Sequence, residues 1–417
     1  MKISVVGLGK LGACTATCFA LGGYDVLGMD LNEDSVNKIN NKIAPVDEYD
    51  LEDAMEQIDE GSLEATTSYK RVVEETDVTF IIVPTPSKND HTFSTYIVED
   101  VLKHLIMHLG EVEKLKHLFV IVSTVMPGTI EELKRKSDFW WDITKGRELH
   151  YGRDYSFTYN PEFIAIGSVI QNFMNPDVVL IGSDNETDAL IVEQIYQETC
   201  ENEPYFSKVS LEEAEITKLA LNTYITMKIS YANLLSNICE KFNANVDNVT
   251  EAIGKDKRVS PNYFRGGLSY GGPCFPRDTK AFDALLQSIK LPNALPVSVD
   301  EINNFQIDKI VKEVYNGSVA ILGLSYKPGT PIIEDSPSIW LIKKLIDKDC
   351  NIIAFDPDSI AVKATRGIFG GEITYASTVA QCFESASTIV IAVPDERYKE
   401  IKPVMFKSII DPWRILK

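Results

Sequence analysis

A cysteine in a glycine-rich loop is the residue of this chain best suited to covalent chemistry. Cys274 lies in Gly271-Gly-Pro-Cys-Phe-Pro-Arg-Asp278 and precedes a cation, Arg277, and a carboxylate, Asp278. A thiolate is a strong nucleophile, and a nearby cation such as Arg277 or Lys218 favours it over the thiol. The segment therefore predicts a reactive cysteine, although a glycine loop with an incidental cysteine has the same pattern.

Lys218 and Asn222 form a second pair with chemical potential. They are four residues apart in a segment that predicts a helix, so both side chains project from one helix face. An amine beside an amide can stabilise a developing oxyanion and hold an ordered water. An exposed helix face carries the same residue types, so the spacing alone leaves both interpretations open.

A glycine motif near the start of the chain predicts a dinucleotide site. Gly7-Leu-Gly-Lys-Leu-Gly12 follows an apolar strand-like run and opens a helix-like one, so its backbone can approach a pyrophosphate at the helix N-terminus. Asp30 ends the next predicted strand, where a carboxylate binds a ribose 2′-hydroxyl and repels a 2′-phosphate. The expected cofactor is therefore NAD rather than NADP. The cofactor-binding residues predicted here are Gly7, Gly9, Lys10, Leu11, Gly12 and Asp30.

Strand-like apolar runs alternate with helix-length segments, a pattern typical of a parallel α/β sheet. The first series of predicted strands is Ile3–Val6, Val26–Asp30, Val78–Val83, Leu118–Ser123 and Val178–Ile181. The second series is Val319–Leu322, Asn351–Phe355 and Thr388–Ala392. The two series resemble each other, which indicates two doubly wound domains of related architecture. The alternative is that all buried parallel strands share this composition.

The second series keeps the strand but not the glycine motif. The segment Gly323–Pro328 lacks the second and third glycines, so a second dinucleotide is not expected. Lys327 follows the strand, where a phosphate or a ribose can bind. A lone lysine is also common on a solvated surface.

The middle of the chain lacks the alternation of strand-like and helix-like segments. Ser210-Leu-Glu-Glu213 is a capping-box pattern, and it predicts a long helix to about Lys241. The Gly/Pro-rich segment Gly266–Pro276 predicts a loop with backbone room for a ligand. The predicted fold is α/β, with two doubly wound Rossmann-like domains (residues 1–208 and 305–417) joined by a central helical domain (residues 209–304).

Composition excludes several functional classes. The 417 residues carry a formal net charge of -20, which disfavours a nucleic-acid-binding protein. No apolar stretch is long enough to span a membrane, and the N-terminus resembles no secretory leader, so a cytoplasmic location is expected. Seven cysteines without a CxxC pair predict neither a disulfide framework nor a zinc site, and no metal is expected.

Taken together, seven ordered motifs resemble the UDP-glucose/GDP-mannose dehydrogenase family over essentially the whole chain. These motifs are Gly7–Gly12, Val83–Pro86, Ser123-Thr124 with Pro127–Thr129, Asn160–Phe163, Glu213–Lys218 with Asn222, Gly271–Asp278, and Gly323–Pro328 leading into Ser336-Pro337. The resemblance implies four-electron oxidation of the sugar of a nucleotide sugar at C6, with NAD as acceptor. A cysteine thiohemiacetal and then a thioester precede hydrolysis to the uronate.

The resemblance also implies roles for individual residues. Cys274 is the nucleophile, Lys218 and Asn222 stabilise oxyanions, and Asp278 orients Lys218 or the water. Glu162 and Thr124 hold water and substrate near the thioester. Further cofactor contacts are Pro84, Thr85, Thr124 and Arg277. Substrate contacts are Glu162, Phe163, Lys218, Asn222, Arg258, Tyr263, Gly271, Lys327 and Arg414.

A homodimer is the expected assembly. The long central helix resembles the dimer core of the family, and Arg258 is expected to reach the nucleotide sugar of a neighbouring subunit. The nucleotide-sugar substrate is otherwise the only partner expected, with neither nucleic acid nor membrane.

Three departures from the family pattern lie near expected substrate positions. Ile164-Ala-Ile-Gly167 replaces a polar, charged pair after Phe163, and Arg277 replaces a lysine. Thr330-Pro-Ile-Ile-Glu334 loses an acidic pair and a cation. These changes leave the sugar and the base open.

Two other functions fit parts of the pattern. A two-electron dehydrogenase of the hydroxyacid or 6-phosphogluconate type shares the fold and the Lys-x-x-x-Asn helix but needs no cysteine. A non-catalytic sensor of NAD or a nucleotide sugar would bind both ligands and convert neither. Cys274 and Lys218 favour the four-electron enzyme over both alternatives.

Overall fold

The computed structural model describes residues 1–114, 116–140, 146–164, 166–315, 317–401 and 407–416. The chain divides into two compact units, Met1–Lys218 and Leu219–Lys417, which we call the N-terminal unit and the C-terminal unit. Each unit is built around its own β-sheet.

Strands and helices alternate along the N-terminal unit. Its strands are β1 Lys2–Val6, β2 Asp25–Met29, β3 Leu63–Thr66, β4 Val78–Ile81, β5 His117–Ile121, β6 Tyr155–Tyr159, β7 Val178–Ser183 and β8 Tyr205–Val209. Its helices are α1 Lys10–Leu21, α2 Glu33–Asn40, α3 Leu51–Glu56, α4 Tyr69–Glu75, α5 Tyr96–Leu109, α6 Thr129–Ser137, α7 Val169–Met174 and α8 Glu186–Thr199. All five strands predicted for this unit are present.

The strand order of this sheet is β3-β2-β1-β4-β5-β6-β7-β8. The first six strands in this order are parallel, and they form a doubly wound sheet. The parallel arrangement that the sequence pattern indicates is interrupted at β7, which pairs antiparallel with β6 and places Gly182 opposite Tyr159. The connection between these two strands stays at the carboxyl edge of β6, so β7 must run back from that edge.

Apolar clusters cover both faces of this sheet. In β1, Val5 packs in the cluster that contains Phe19 of α1, whereas Val6 packs in the cluster that contains Leu102 of α5. Because both faces are buried, β1 reads as a nearly continuous apolar run rather than an alternating one. That pattern made the central strands visible in the sequence.

A long helix, α9, runs from Leu211 to Lys241. Its N-terminus is a complete capping box. The Glu213 backbone N–H donates to Ser210 Oγ at 3.2 Å, and the Ser210 N–H donates to Glu213 Oε2 at 2.8 Å. This arrangement satisfies two backbone donors that the first helical turn leaves unpaired. Both the start and the length of the predicted helix are confirmed.

The C-terminal unit begins with helices and continues with a second sheet. After α9 come α10 Val246–Gly254, α11 Phe275–Ser288, α12 Ala294–Glu313, β9 Ser318–Leu322, α13 Pro337–Ile346, β10 Asn351–Phe355, α14 Ser359–Phe369, β11 Thr374–Tyr375, α15 Val379–Ser385, β12 Thr388–Ile391, a 3₁₀ helix Glu396–Glu400 and β13 Ser408–Ile410. The parallel sheet has the order β11-β10-β9-β12-β13.

The second sheet confirms the predicted second series of strands. Apolar clusters again cover both of its faces, one with Ile321 and Leu341 and the other with Leu322 and Ile391. The fold is therefore the expected one, with Rossmann-like sheets and a helical segment between them. The domain boundaries predicted at residues 208 and 304 remain a prediction. Among the described residues, no helix has the length and apolarity needed to cross a membrane.

Candidate active site

The glycine turn after β1 is shaped by close backbone contacts. Gly7 has φ +95°, and its N–H donates to Met29 O at 2.8 Å. A Cβ on Gly7 would lie 2.2 Å from Ile82 O, and a Cβ on Gly12 would lie 1.8 Å from Gly7 O. Two of the three glycines are thus required by the protein's own packing.

The middle glycine is different, because a Cβ on Gly9 would meet no protein atom within 4 Å. Gly9 is the N-cap of α1, and no side chain in the described part of the chain caps this end or places an acid in its first turn. The N–H groups that start the helix, beginning with those of Lys10 and Leu11, therefore face an open space. A helix N-terminus with room beside it suits a pyrophosphate.

Asp30 is held at the end of β2 by two backbone donors. Its Oδ2 accepts from the Leu8 N–H at 2.7 Å, and its Oδ1 accepts from the Asn32 N–H at 2.8 Å. Each carboxylate oxygen retains a lone pair for a ribose hydroxyl. Together with the open space at Gly9, this geometry fits an NAD molecule.

The ends of β4 and β5 are tied together where further cofactor contacts are predicted. Thr85 Oγ1 donates to Thr124 O at 2.8 Å, and Ser123 Oγ accepts from the Val83 N–H at 2.9 Å. These bonds fix Thr124 and the adjacent Pro84-Thr85 turn at the carboxyl edge of the sheet, where ligands of doubly wound folds bind.

Glu215 supports this edge, and the sequence reasoning missed it. Its side chain is completely buried and accepts from the Gly128 N–H at 2.6 Å and the Ile130 N–H at 2.8 Å. Desolvation raises its pKa to about 7, although the backbone donors act in the opposite direction. Glu215 lies three residues before Lys218 in α9, so it connects that helix to the segment after Thr124.

Glu162 and Lys218 lie together in the N-terminal unit. Lys218 Nζ donates to the backbone O of Glu162 at 2.5 Å and lies 4.9 Å from the centre of the Phe163 ring. Part of Glu162 reaches the surface, yet desolvation raises the pKa of its carboxyl to about 7. Hydrogen bonding from Tyr196 and the charge of Lys218 act to lower it. A carboxyl that titrates near neutral pH suits proton transfer.

Tyr196 contacts the Glu162 carboxyl and Asn160 contacts Tyr196, and neither role was predicted. The buried Tyr196 hydroxyl of α8 hydrogen-bonds to Glu162 Oε1, and it lies 2.8 Å from Asn160 Oδ1. Asn160 belongs to a motif singled out in the sequence, but its partner lies 36 residues further along the chain. No local pattern connects the two.

The segment after Phe163 departs from the family pattern. Ala165 lies outside the described residues, whereas Ile164 and Ile166 are partly buried. The Gly167 N–H donates to Glu48 Oε1 at 2.5 Å. A carboxylate from near α3 therefore anchors the end of this segment.

In the C-terminal unit, Cys274 is the N-cap of α11 and is exposed. Its carbonyl accepts the first helical hydrogen bond, from the Asp278 N–H at 2.8 Å. The position favours negative charge on the sulfur because the helix dipole is positive at this end. Pro276 lies in the first turn, where it needs no hydrogen-bonding N–H.

Asp278 is almost fully buried, and its carboxylate is satisfied by two side chains. It accepts from Asn222 Nδ2 at 2.6 Å and from Arg277 Nε at 3.1 Å. The first bond fixes the orientation of the Asn222 amide, because the nitrogen that faces Asp278 leaves the amide oxygen directed elsewhere. The carboxylate thus places a predicted oxyanion-stabilising group next to the helix that begins at Cys274.

The glycines before Cys274 are packed against protein. A Cβ would lie 2.2 Å from the Trp413 ring at Gly267, 2.2 Å from Asp335 O at Gly271, and 2.5 Å from the Tyr326 ring at Gly272. Protein atoms therefore fill the space beside these three glycines, and a ligand contact at the backbone of this loop remains a prediction. The lack of a side chain lets Trp413, Asp335 and Tyr326 approach the loop backbone closely.

The remaining predicted substrate contacts differ in exposure. The side chain of Arg258 is 88% exposed and pairs with Asp256. Tyr263 is also exposed, with φ +57°. Arg414 is held within the unit, since its guanidinium donates to Asp247 at 2.8 Å and to Gly266 O at 2.6 Å.

The turn after β9 borders a cavity with a volume of about 130 Å³. Lys327 lines it together with Asp356, Asp395 and Arg397. Gly323 has φ +94°, and its N–H donates to Phe355 O at 2.8 Å. The cavity lies at the carboxyl ends of parallel strands, as the sequence predicts for Lys327.

Comparisons with known proteins agree with this geometry. The family models of the UDP-glucose/GDP-mannose dehydrogenase family match in order: the NAD binding domain at residues 1–200, the central domain at 212–305 and the UDP binding domain at 320–417. The NAD binding domain coincides with the open glycine turn and Asp30.

Relatives match over the full length. The chain is 32% identical to a UDP-glucose 6-dehydrogenase of Haloferax volcanii, covering 100% of this chain and 97% of that protein. It is similar to the structure of a UDP-glucose dehydrogenase of Pyrobaculum islandicum, with a TM-score of 0.91, 28% identity and coverage of 100% and 95%. A UDP-D-ManNAc dehydrogenase of Pyrococcus horikoshii is also similar, with a TM-score of 0.82, 25% identity and coverage of 100% and 96%. The chain therefore belongs to the UDP-glucose/GDP-mannose dehydrogenase family of NAD-dependent nucleotide-sugar dehydrogenases.

Proposed function

We propose that this protein oxidises UDP-glucose, or a related nucleotide hexose, at C6 to the uronate in two two-electron steps. The observation that carries the proposal is Cys274, which is exposed at the N-terminus of α11 beside the hydrogen-bonded pair of Asp278 and Asn222. A simple alcohol dehydrogenase has no use for an exposed thiol at a helix N-terminus. A thioester-forming enzyme requires one.

The glycine turn, Asp30, Pro84, Thr85, Thr124 and Arg277 hold NAD in this proposal. Bound there, NAD would supply the hydride acceptor for both oxidations. The chain itself supplies orientation and charge. The open side of Gly9 takes the pyrophosphate, and Asp30 takes the ribose hydroxyls.

Cys274 performs the covalent step. Its thiolate adds to the C6 aldehyde and forms a C–S bond, and the resulting thiohemiacetal is oxidised to a thioester. The ammonium of Lys218 and the amide of Asn222 stabilise the oxyanions that develop. Asp278 orients Asn222 through the 2.6 Å hydrogen bond, and we therefore assign its positioning role to that amide.

Glu162 and Thr124 hold the water and the substrate for hydrolysis of the thioester. The pKa of Glu162, about 7, lets its carboxylate accept a proton from the attacking water near neutral pH. Hydrolysis breaks the C–S bond and returns Cys274 to the thiolate.

The nucleotide sugar is recognised by residues from several elements. We assign contacts to Phe163, Gly271 and Tyr263, and charge complementarity for the diphosphate to Arg258, Lys327 and Arg414. The exposed side chain of Arg258 is suited to a substrate bound by a neighbouring subunit. The domain limits at residues 208 and 304 separate the cofactor, central and substrate domains.

A homodimer accompanies this function. Exposed apolar side chains recur at helical spacing on α9, namely Leu221, Tyr224, Tyr231, Leu234 and Ile238. Such a stripe is typical of a surface that packs against another helix. The variant Tyr231→Glu should sediment as a monomer, whereas Ile360→Glu, an exposed apolar residue of α14, should not change the mass.

Product stoichiometry tests the proposed reaction. The purified protein should release two NADH per UDP-glucose, and Cys274→Ala should release no uronate. The matched control is Cys350→Ala, which replaces a cysteine just before β10. This variant should still release two NADH and form the uronate. One NADH per turnover with an accumulating aldehyde or ketone would contradict the proposal. Screening UDP-glucose, UDP-N-acetylhexosamines, GDP-mannose and dTDP-glucose identifies the substrate.

A further inference from the structure

The hydroxyl of Tyr196 lies between two acceptors. It hydrogen-bonds to Glu162 Oε1, and it lies 2.8 Å from Asn160 Oδ1. The Asn160 amide cannot turn freely, because its Nδ2 donates to Leu180 O of β7 at 2.9 Å. The oxygen of Asn160 is therefore the atom that must face Tyr196.

A phenol has a single hydrogen, so it cannot donate to both acceptors at once. When Glu162 is ionised, the hydrogen of Tyr196 points to the carboxylate. When Glu162 is protonated, its own O–H can donate to the Tyr196 oxygen, and Tyr196 then donates to Asn160. The Glu162 carboxyl is thus hydrogen-bonded to Tyr196 in both protonation states, whereas Asn160 Oδ1 receives a hydrogen only when Glu162 is protonated.

Aromatic packing and burial hold the Tyr196 hydroxyl in position and keep it protonated. The buried Tyr196 ring packs against Phe173 at 5.4 Å and Phe19 at 6.1 Å between ring centres, which holds the hydroxyl oxygen in place. Burial, and then the charge of Glu162, raise the pKa of Tyr196 well above its usual value, so the phenol stays protonated.

The titratable groups that face this cluster come from three other positions. Lys218 of α9 lowers the pKa of Glu162, whereas Cys18 of α1 and Cys200 after α8 face Tyr196. Burial raises the pKa of the Cys200 thiol to about 12 and that of Cys18 well above its usual value. Both thiols are therefore neutral, and Lys218 is the charged neighbour of the pair.

We propose that Tyr196 and Asn160 form a hydrogen-bond relay that gives the Glu162 carboxyl a hydrogen-bonding partner in both of its protonation states. The inference rests on the proposed role of Glu162 in thioester hydrolysis. Tyr196 and Asn160 are positioning residues, since they act through Glu162 and not on the substrate.

The relay fits a balanced hydrolysis step. The attacking water forms the new C–O bond and passes one proton to Glu162. The C–S bond then breaks, the carboxylic acid product keeps the second proton, and Cys274 leaves as the thiolate. As Glu162 is protonated, the Tyr196 hydrogen turns from Glu162 to Asn160, and it turns back when Glu162 releases its proton to solvent.

The pH dependence of thioester hydrolysis tests the relay. In single-turnover experiments on the full-length protein, hydrolysis should fall as the pH drops through the pKa of Glu162, because the protonated carboxyl no longer accepts a proton. Tyr196→Phe removes the donor that stabilises the ionised form, so the midpoint should move up by about one pH unit. Asn160→Leu removes the acceptor that stabilises the protonated form, so the midpoint should move down.

Tyr24→Phe is the matched control. The Tyr24 hydroxyl also donates to a glutamate, Glu198 of the same helix α8 as Tyr196, and the pair lies outside the proposed machinery. For Tyr24→Phe, the pH midpoint and the rate of thioester hydrolysis should equal those of the parent protein. The first NADH released should appear at parental rate in Tyr196→Phe, because the relay serves hydrolysis alone.

The outcomes separate the relay from the function on which it rests. If Glu162→Gln hydrolyses the thioester at the parental rate, the proposed role of Glu162 and the relay are both wrong. If Glu162→Gln is slow but the midpoint of Tyr196→Phe equals that of the parent, the relay alone is overturned. Tyr196→Phe is nearly isosteric, so the test stands even if Asn160→Leu fails to fold.

Discussion

The two units contain nearly the same turn, and only one of the turns presents a helix terminus. Gly7 and Gly323 have φ +95° and +94°, and each N–H donates at 2.8 Å to the last residue of the neighbouring strand. Asp30 and Asp356 then accept the N–H of the residue after each glycine, at 2.7 and 2.6 Å. The backbone of the first turn is thus repeated in the second.

The difference begins two residues later. In the first turn Gly9 is open and α1 starts at Lys10, so the helix N-terminus faces the space beside Asp30. In the second turn Ser325 is buried and also hydrogen-bonds to Asp356, and α13 begins only at Pro337 after its own cap, Ser336. A shared turn therefore produces a dinucleotide site only when the helix follows at once. The longer loop carries Lys327 instead.

The largest expected effect comes from closing the first turn. Gly12→Ala places a Cβ 1.8 Å from Gly7 O, so the turn must open. Because displacing reacting groups by about 1 Å costs about 100-fold in rate, kcat/KM for NAD should fall by about this factor. Isothermal titration should show weakened NAD binding and unchanged UDP binding. An equal loss of both ligands would mean that the two turns are not independent.

Substituting Asp30 and Asp356 in turn distinguishes an effect on NAD binding from an effect on the stability of the turn. In Asp30→Asn and Asp356→Asn alike, the new NH₂ faces a backbone N–H, so both variants should lose similar free energy of unfolding. Only Asp30→Asn loses the carboxylate for the ribose, so only its NAD affinity should fall, by about 10-fold or more. Urea denaturation and NAD titration of both variants measure this. Weakened NAD binding by Asp356→Asn would contradict the comparison.

The repeated strands were predictable because their composition follows directly from burial on both faces. β1 and β9 are nearly continuous apolar runs, and the helix start at Ser210 has a local capping signal. Three strands of the first sheet were missed. β3 is short and only half apolar, β6 alternates aromatic residues with serine and threonine and so lacks a continuous aliphatic run, and β8 is a partly exposed edge strand. The reversed direction of β7 depends on the path of the preceding connection, which residue types do not specify.

The candidate site was only partly predictable for a related reason. Motifs identify residues such as Glu162 and Cys274, but they do not identify the residues that hold them. Tyr196 and Glu215 reach their partners across 34 and 87 positions of the chain, so no spacing rule connects them. The packing around the glycines before Cys274 was not predictable, because a glycine required by close packing and a glycine required by a ligand have the same appearance in a sequence.

A smaller effect is expected at the open glycine. Gly9→Ala meets no protein atom within 4 Å, and Gly9 has φ −72°, so the free energy of unfolding should not change by more than about 0.5 kcal/mol. The new methyl group occupies the space proposed for the pyrophosphate, so NAD affinity should fall by about 10-fold. Thermal melts and NAD titration test both parts. Unchanged affinity would place the pyrophosphate elsewhere and would remove the distinction between the two turns.

The smallest expected effect is in the loop of the second turn. Lys327 is partly exposed and lines the cavity with Asp356 and Arg397, so its charge is screened by solvent and shared with other groups. Lys327→Met should raise KM for the nucleotide sugar by about 5-fold, a factor worth about 1 kcal/mol, and should leave KM for NAD unchanged. Lys363→Met, an exposed lysine of α14, controls for the loss of one positive charge from the same unit. If KM for NAD rises as well, the second turn takes part in cofactor binding, and the helix that follows Gly9 is not what distinguishes the two turns.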